Sequence, residues 1–184
     1  MPFTPQAPFA NWDALHEEAC EEAAILMVVH FLNGTPFTPE IANRDILDLV
    51  AWETENGYSQ DVTAAQMAEV AEKKFGLHAR VRTDVTADTI IEELAAGNPV
   101  IIPAAGRDLG NPYFSGEGPW YHALVIIGYR ERWTGDRFIT NDPGTKRGES
   151  YAYRAETLLQ AIHDWTGLKE EIRSGGKAMV ILEK

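Results

Sequence analysis

Apolar and polar positions follow different patterns in the two parts of the chain. Up to residue 96 the apolar residues mostly recur at helical spacing. Beyond it they form short runs separated by glycine, proline and aspartate, which is typical of strands and turns. The patterns predict helices at 17–33, 39–56, 63–75, 86–96 and 155–165. They predict strands at 77–83, 98–104, 121–129, 136–142, 149–154 and 177–183.

The first predicted helix, residues 17–33, differs from the others. Its opening turns are acidic, which suits the helix dipole, and its second half is apolar on nearly every side. Such a helix is expected at the centre of a fold. We therefore predict an α+β fold with N-terminal helices packed on an antiparallel sheet. The 184 residues suit one domain, 1–184, in which the proline-containing segment 1–16 forms an extended arm.

The net charge of the chain argues against some classes of binding partner. The formal net charge is −12, from 16 basic and 28 acidic residues, whereas nucleic acids and anionic membranes are bound by basic surfaces. We expect neither of those partners, and no apolar run approaches the length of a membrane span. The segment MPFTPQAPFANW is unlike a signal peptide, and one cysteine cannot form a disulfide within the chain. These two features favour a cytoplasmic location.

Cys20 is the first candidate for chemistry. The N-terminus of a helix lowers the pKa of a thiol and offers backbone donors to an oxyanion. A lone cysteine is more often a small buried hydrophobe. Glutamates at 17, 18, 21 and 22 would also raise the pKa of the thiol, so a thiolate here requires an imidazolium partner.

His122 and Asp142 are the candidates for that partnership. His122 opens an apolar strand directly after the longest irregular stretch, residues 105–119, and Asp142 ends the next strand. If the two strands are neighbours, the carboxylate can orient the imidazole. Each residue also has an ordinary explanation, since His122 suits a hydrogen-bonded core position and Asp142-Pro143-Gly144 is a good turn sequence.

The order of these residues resembles the papain-fold cysteine peptidases of family thirty-nine, in particular the stand-alone "like" branch related to the double-glycine leader peptidases of bacteriocin exporters. The matching stretches are Asn11-Trp12, CEEAAILMVVHFLNG (20–34), GNPVIIPA (97–104), LGNPYF (109–114), YHALVIIGY (121–129), ITNDPGT (139–145), YAY (151–153) and Asp164-Trp165. The resemblance implies a papain-like fold, no cofactor, and a peptide or protein substrate. It also implies Cys20 as nucleophile, His122 as general base and acid, Asp142 as the orienting group, and a thioester acyl-enzyme.

The oxyanion position departs from the papain-like pattern. The glutamine that usually lies six residues before the cysteine is replaced by Ala14, and Gln6 lies much further upstream. We expect Asn11 or His16 to take its place, together with the Cys20 backbone N–H. The loss of one oxyanion donor costs about 10²–10³ in rate. The double-glycine specificity of the exporters is not carried over, because the chain has no phosphate loop and no membrane span.

Several alternatives stay open at this point. The first is a catalytically weak or inactive peptide-binding module on the same fold, and the second is an acyltransferase that uses the same triad. A third is a metal site on His16 and Cys20, spaced four residues apart, although no third ligand is evident. The candidates for the substrate cleft are Tyr113, Phe114, Trp120 and Tyr121.

Overall fold

The computed structural model describes all 184 residues and contains five α-helices and six β-strands. The helices are α1 (Cys20–Asn33), α2 (Pro39–Glu55), α3 (Ala64–Phe75), α4 (Ala87–Ala95) and α5 (Ala155–Ala161). The strands are β1 (His78–Arg82), β2 (Val100–Ala105), β3 (Tyr121–Arg130), β4 (Arg137–Asn141), β5 (Tyr151–Arg154) and β6 (Met179–Glu183). They form one sheet in the order β1-β6-β2-β3-β4-β5, with every neighbouring pair antiparallel.

The sheet has an apolar core on each face. Alternate residues of a strand point to opposite faces. Ala123 and Val125 of β3 accordingly belong to the core with α1 and α3, while Leu124 and Ile126 belong to the core with α4 and α5. The α+β prediction is therefore confirmed, with the first helix packed on an antiparallel sheet.

Helix α1 is buried along its first ten residues, from Cys20 to Val29. It begins later than the sequence pattern predicts, because Ala19 has a non-helical conformation with φ −93° and ψ 35°. Residues His16–Glu18 form a separate 3-10 helix. Cys20 is therefore the first residue of the α-helix rather than the fourth.

The other predicted elements are present, with smaller differences. Helix α5 ends at Ala161, four residues before the predicted end, and further 3-10 helices lie at Gly106–Leu109 and Lys169–Ser174. Residues 1–15 contain neither helix nor strand. No helix is long and apolar enough to cross a bilayer.

The segment 1–15 is attached to the sheet by long-range hydrogen bonds. The Gln6 backbone N–H donates to Pro143 O at 2.9 Å, and the Asn141 side chain donates to Pro2 O at 3.0 Å. Since β4 ends at Asn141, these bonds hold the start of the chain beside the turn that follows this strand.

Candidate active site

Cys20 lies at the N-terminal end of α1, facing the sheet. Its backbone N–H makes no hydrogen bond within the protein, as is usual for the first turn of a helix. The thiol lies next to the backbone N–H of Ala123 in β3 and donates a hydrogen bond of 2.8 Å to Glu21 Oε2. The residue next to Ala123 along the strand is His122, so the fold places thiol and imidazole in the same region.

His122 and Asp142 form a buried pair on adjacent strands. His122 Nε2 lies 2.7 Å from Asp142 Oδ1, and both side chains are almost fully excluded from solvent. This pairing follows from the neighbouring positions of β3 and β4, because β4 ends one residue before Asp142. The other imidazole nitrogen, Nδ1, makes no hydrogen bond to the protein.

Asp142 receives hydrogen bonds on both carboxylate oxygens. Oδ1 also accepts the Gly144 N–H at 2.9 Å, and Oδ2 accepts from the Asn111 side chain and the Tyr153 hydroxyl. Burial alone would raise the pKa of Asp142. The nearby His122 imidazole and these donors lower the pKa below its usual value, so the carboxylate is ionised at neutral pH.

Glycines allow the backbone to come close to this pair. A Cβ at Gly144 would lie 2.9 Å from His122 Cε1 and 2.8 Å from Phe114 Cε1, and one at Gly148 would overlap Asp142 O at 1.8 Å. The Phe114 ring packs edge-on against the imidazole, with ring centres 5.3 Å apart. His122 is thus fixed by packing as well as by its hydrogen bond.

Cys20 and His122 line one open cleft of about 930 Å³. The four side chains predicted to line a cleft, Tyr113, Phe114, Trp120 and Tyr121, all contribute to its wall. Their environments differ, because Tyr113 is 44% exposed whereas Tyr121 is 4% exposed. A volume of this size and a partly aromatic wall are typical of sites for small or extended ligands.

The two predicted oxyanion donors lie elsewhere. Asn11 and His16 are hydrogen-bonded to each other, and His16 also contacts Asp13 and Asn43. Neither residue lines the cleft that contains Cys20. The imidazole of His16 therefore contacts α2 and the N-terminal segment, and no group of three or more His, Cys, Asp or Glu side chains is arranged to hold a metal ion.

Gln6 lies in the same cleft as Cys20, although its position in the sequence suggests that it is too far upstream. It lines the cleft, is only 4% exposed, and donates through Nε2 to the carbonyl oxygens of His16 and Glu17, each at 2.8 Å. Both amide hydrogens are therefore engaged just before α1. The free donor beside the thiol in this structure is the Cys20 backbone N–H.

The charges near Cys20 oppose its ionisation. Burial raises the pKa of the thiol well above its usual value, and the carboxyl groups of Glu21 and Glu22 raise it further. The Ala123 N–H acts in the opposite direction. Burial and the neighbouring carboxyl groups thus favour the neutral thiol at the start of α1.

From the sequence, Gln6 is set aside because of its distance from Cys20, and two further residues of the site, Asn111 and Tyr153, are not singled out. Gln6 is separated from Cys20 by an irregular segment whose path has no sequence signature. Asn111 and Tyr153, which bind Asp142, lie within the quoted LGNPYF and YAY stretches. The signals that the sequence offers are a polar residue in a long loop, Asn111, and a tyrosine in a short strand, Tyr153.

Comparisons with known proteins identify the fold and the family. A crystal structure of a presumed C39-like peptidase from Bacillus anthracis superposes with a TM-score of 0.60 at 15% sequence identity, covering 100% of this chain and 94% of that chain. At that identity the similarity shows the fold. A search of curated proteins finds no match. The model of the Peptidase C39-like family matches residues 2–171. The chain therefore belongs to the Peptidase C39-like family.

Proposed function

We propose that this protein is a cysteine peptidase-like hydrolase that cleaves a peptide or amide bond with Cys20, His122 and Asp142. One observation carries the proposal: His122, which is held in a buried pair with Asp142, lines the same cleft as a cysteine at a helix N-terminus. Family membership supports the same class of chemistry.

The geometry suits a division of roles within the triad. Asp142 holds Nε2 of the imidazole, so Nδ1 is the nitrogen available to exchange a proton with Cys20 and the substrate. Asp142 stays ionised through its hydrogen bonds and stabilises the imidazolium that forms during the reaction. The free Cys20 N–H is positioned to bind the developing oxyanion.

The reaction then takes place in two steps. The thiol proton passes to His122, Sγ bonds to the substrate carbonyl carbon, and the C–N bond breaks as His122 protonates the leaving amine. Water then attacks the thioester with His122 as base, releasing the acid and restoring the thiol. The partner is accordingly a peptide or protein substrate that lies along the cleft.

A peptide-binding module is the second candidate, and specific observations favour it. The pKa of Cys20 is raised, and both amide hydrogens of Gln6 are bound to backbone carbonyls. A protein that keeps the cleft and has lost turnover would show the same features. The two functions differ in whether a bound peptide is cut.

Incubation with a diverse peptide library, followed by mass spectrometry in ¹⁸O water, tests the proposal. We expect new peptide termini whose carboxylates contain solvent oxygen. Cleavage should be absent in Cys20→Ala and reduced about 10²–10⁴-fold in His122→Ala. The exposed Glu149→Gln variant serves as a matched control. Peptide binding without cleavage would support the binding module, and products joined to an added amine would identify an acyltransferase.

A further inference from the structure

Glu21 contacts the proposed nucleophile directly, and the mechanism above does not use it. Its side chain is completely buried, and Oε2 accepts the hydrogen bond of 2.8 Å from the Cys20 thiol. No such hydrogen bond joins Cys20 to His122. In this state the acceptor for the thiol proton is a carboxylate on the neighbouring residue.

The position of Glu21 is fixed by the loop before α3. Its second oxygen, Oε1, accepts the backbone N–H of Val62 at 3.2 Å. The carbonyl oxygen of Val62 accepts a hydrogen bond of 2.7 Å from the Tyr121 hydroxyl. Tyr121 is in β3 next to His122, so the Glu21 carboxyl is connected to the histidine strand through one backbone residue.

The surroundings of Glu21 are mostly acidic. Glu22 is next to it on α1, Glu53 approaches from α2, and Asp61 from the loop before α3. Like charges and burial together raise the pKa of Glu21 well above its usual value. Two buried anions side by side, a thiolate at Cys20 and a carboxylate at Glu21, are therefore strongly disfavoured.

The remaining charged groups near Cys20 and Glu21 do not make two neighbouring negative charges at this pair favourable. Lys169 is the nearby cation, and its ammonium group is already bound to Glu18 at 3.0 Å, with Asp61 at 3.8 Å. Tyr121 is neutral, since burial raises the pKa of its hydroxyl well above the usual value, and Asp164 adds a further acid on that side. On the cleft side of the thiol, the cleft is lined by His122 and also by Glu17 and Lys146.

We propose that Glu21 is a positioning residue that keeps Cys20 as a thiol in the free protein, so that Cys20 and Glu21 share one proton until substrate brings His122 into use. The inference rests on the proposed function, because it assigns a resting state to the same nucleophile. The proton that leaves Sγ during catalysis passes to His122, and Glu21 recovers its contact when the thioester is hydrolysed.

The rate of Cys20 alkylation by iodoacetamide, measured against pH, tests this assignment. In the wild type we expect reactivity that still increases above the ordinary thiol pKa of about 8.5. Glu21→Gln removes the negative charge and supplies an N–H donor to the thiolate. The profile should move down by at least about one pH unit, which is about tenfold faster alkylation at pH 7. Glu170→Gln, an exposed carboxylate in the 3-10 helix at Lys169–Ser174, should leave the profile unchanged.

A second measurement on unmodified protein covers the case in which Glu21→Gln does not fold. The difference in thiolate ultraviolet absorbance between wild type and Cys20→Ser should be absent below about pH 8.5. A thiolate signal below pH 7 in the wild type would overturn the inference. So would an alkylation profile that is unchanged, or shifted to higher pH, in Glu21→Gln.

The two proposals fail separately in these experiments. Peptide cleavage that is lost in Cys20→Ala and His122→Ala supports the triad whatever Glu21→Gln does. A shift in Glu21→Gln without any cleavage supports the Glu21 contact and counts against the peptidase.

Discussion

Two buried acidic sites flank the proposed nucleophile, and the pKa values of their carboxyl groups are shifted in opposite directions although both sites are excluded from solvent. On the histidine side Asp142 receives four hydrogen bonds and its pKa is lowered. On the cysteine side Glu21 and Glu22 have few donors and their pKa values are raised. Burial raises the pKa of the carboxyl group at both sites. The neighbouring groups decide the direction of the net shift, because the His122 imidazole and the hydrogen-bond donors lower the pKa of Asp142, whereas neighbouring acids raise the pKa values of Glu21 and Glu22 further.

The local structure explains the difference. Asp142 follows the last residue of β4, where the turn to Gly144 offers a backbone N–H and the side chains of Asn111 and Tyr153 converge. The glutamates lie inside the helical packing instead. Glu22 faces Glu53 of α2, and one oxygen of each carboxyl group has no hydrogen-bond partner. Burial raises the pKa values of both groups, and the proximity of Glu53 raises that of Glu22 further.

The largest expected effect comes from weakening the histidine side. Asp142→Asn keeps the shape of the side chain but removes the charge that stabilises the imidazolium. We expect the rate of peptide cleavage to decrease about 10²–10⁴-fold. Steady-state kinetics against Glu149→Gln provide the measurement. An unchanged rate in a folded variant would show that His122 works without its carboxylate.

A smaller effect is expected from Tyr153→Phe, which removes one of the four donors to Asp142 and leaves Asn111 without its hydroxyl acceptor. Hydrogen bonds to charged groups contribute about 1.5–3 kcal/mol, so the free energy of unfolding should decrease by about that amount. Urea unfolding at pH 7 measures it. If stability does not change, the three remaining donors are sufficient, and the comparison between the two sites loses part of its basis.

The smallest effect, and one of opposite sign, is expected on the cysteine side. Burial raises the pKa of Glu53 to about 7, whereas an unfolded glutamate titrates near 4.3. The folded protein therefore binds this proton more tightly. Its contribution to stability is complete below about pH 4 and is lost as the pH increases through about 7. Glu53→Gln needs no such proton and should be more stable than the wild type at pH 8.

A gain of about 1 kcal/mol corresponds to a melting temperature about 2–4 °C higher in a protein of this size. Thermal unfolding at pH 5 and pH 8 checks both parts of the prediction, because the gain should be larger at pH 8. Glu55→Gln, exposed on the same helix, is the matched control. A Glu53→Gln variant that is less stable at both pH values would contradict the contribution that the raised pKa of Glu53 makes to stability.

The sequence is informative where residues act locally. Hydrophobic spacing predicts both the helices and the strands, since the spacing of side chains along an element depends only on that element. The proximity of His122 and Asp142 follows because consecutive strands usually pair. The true start of α1 is different, because it depends on the conformation of one residue, Ala19.

Long-range contacts explain what the sequence could not predict. Gln6 reaches the cleft through an irregular segment, and Asn111 reaches Asp142 from a loop. The raised pKa values of Glu21 and Glu22 depend on burial and on the acidic neighbours that the tertiary structure brings to them. Acidic residues near Cys20 suggest a raised pKa of the thiol, but burial, which the sequence does not specify, is the larger cause of that increase.

The attachment of residues 1–15 has a consequence for biosynthesis. Pro2 and Asn141 are joined by a hydrogen bond although they are 139 positions apart, so residues 1–15 are synthesised long before the partners that hold them in place. Contacts of such separation form slowly, because a long loop must close first. The cleft is therefore among the last parts of the molecule to be completed, and a nascent chain has its apolar helices well before it has a finished site.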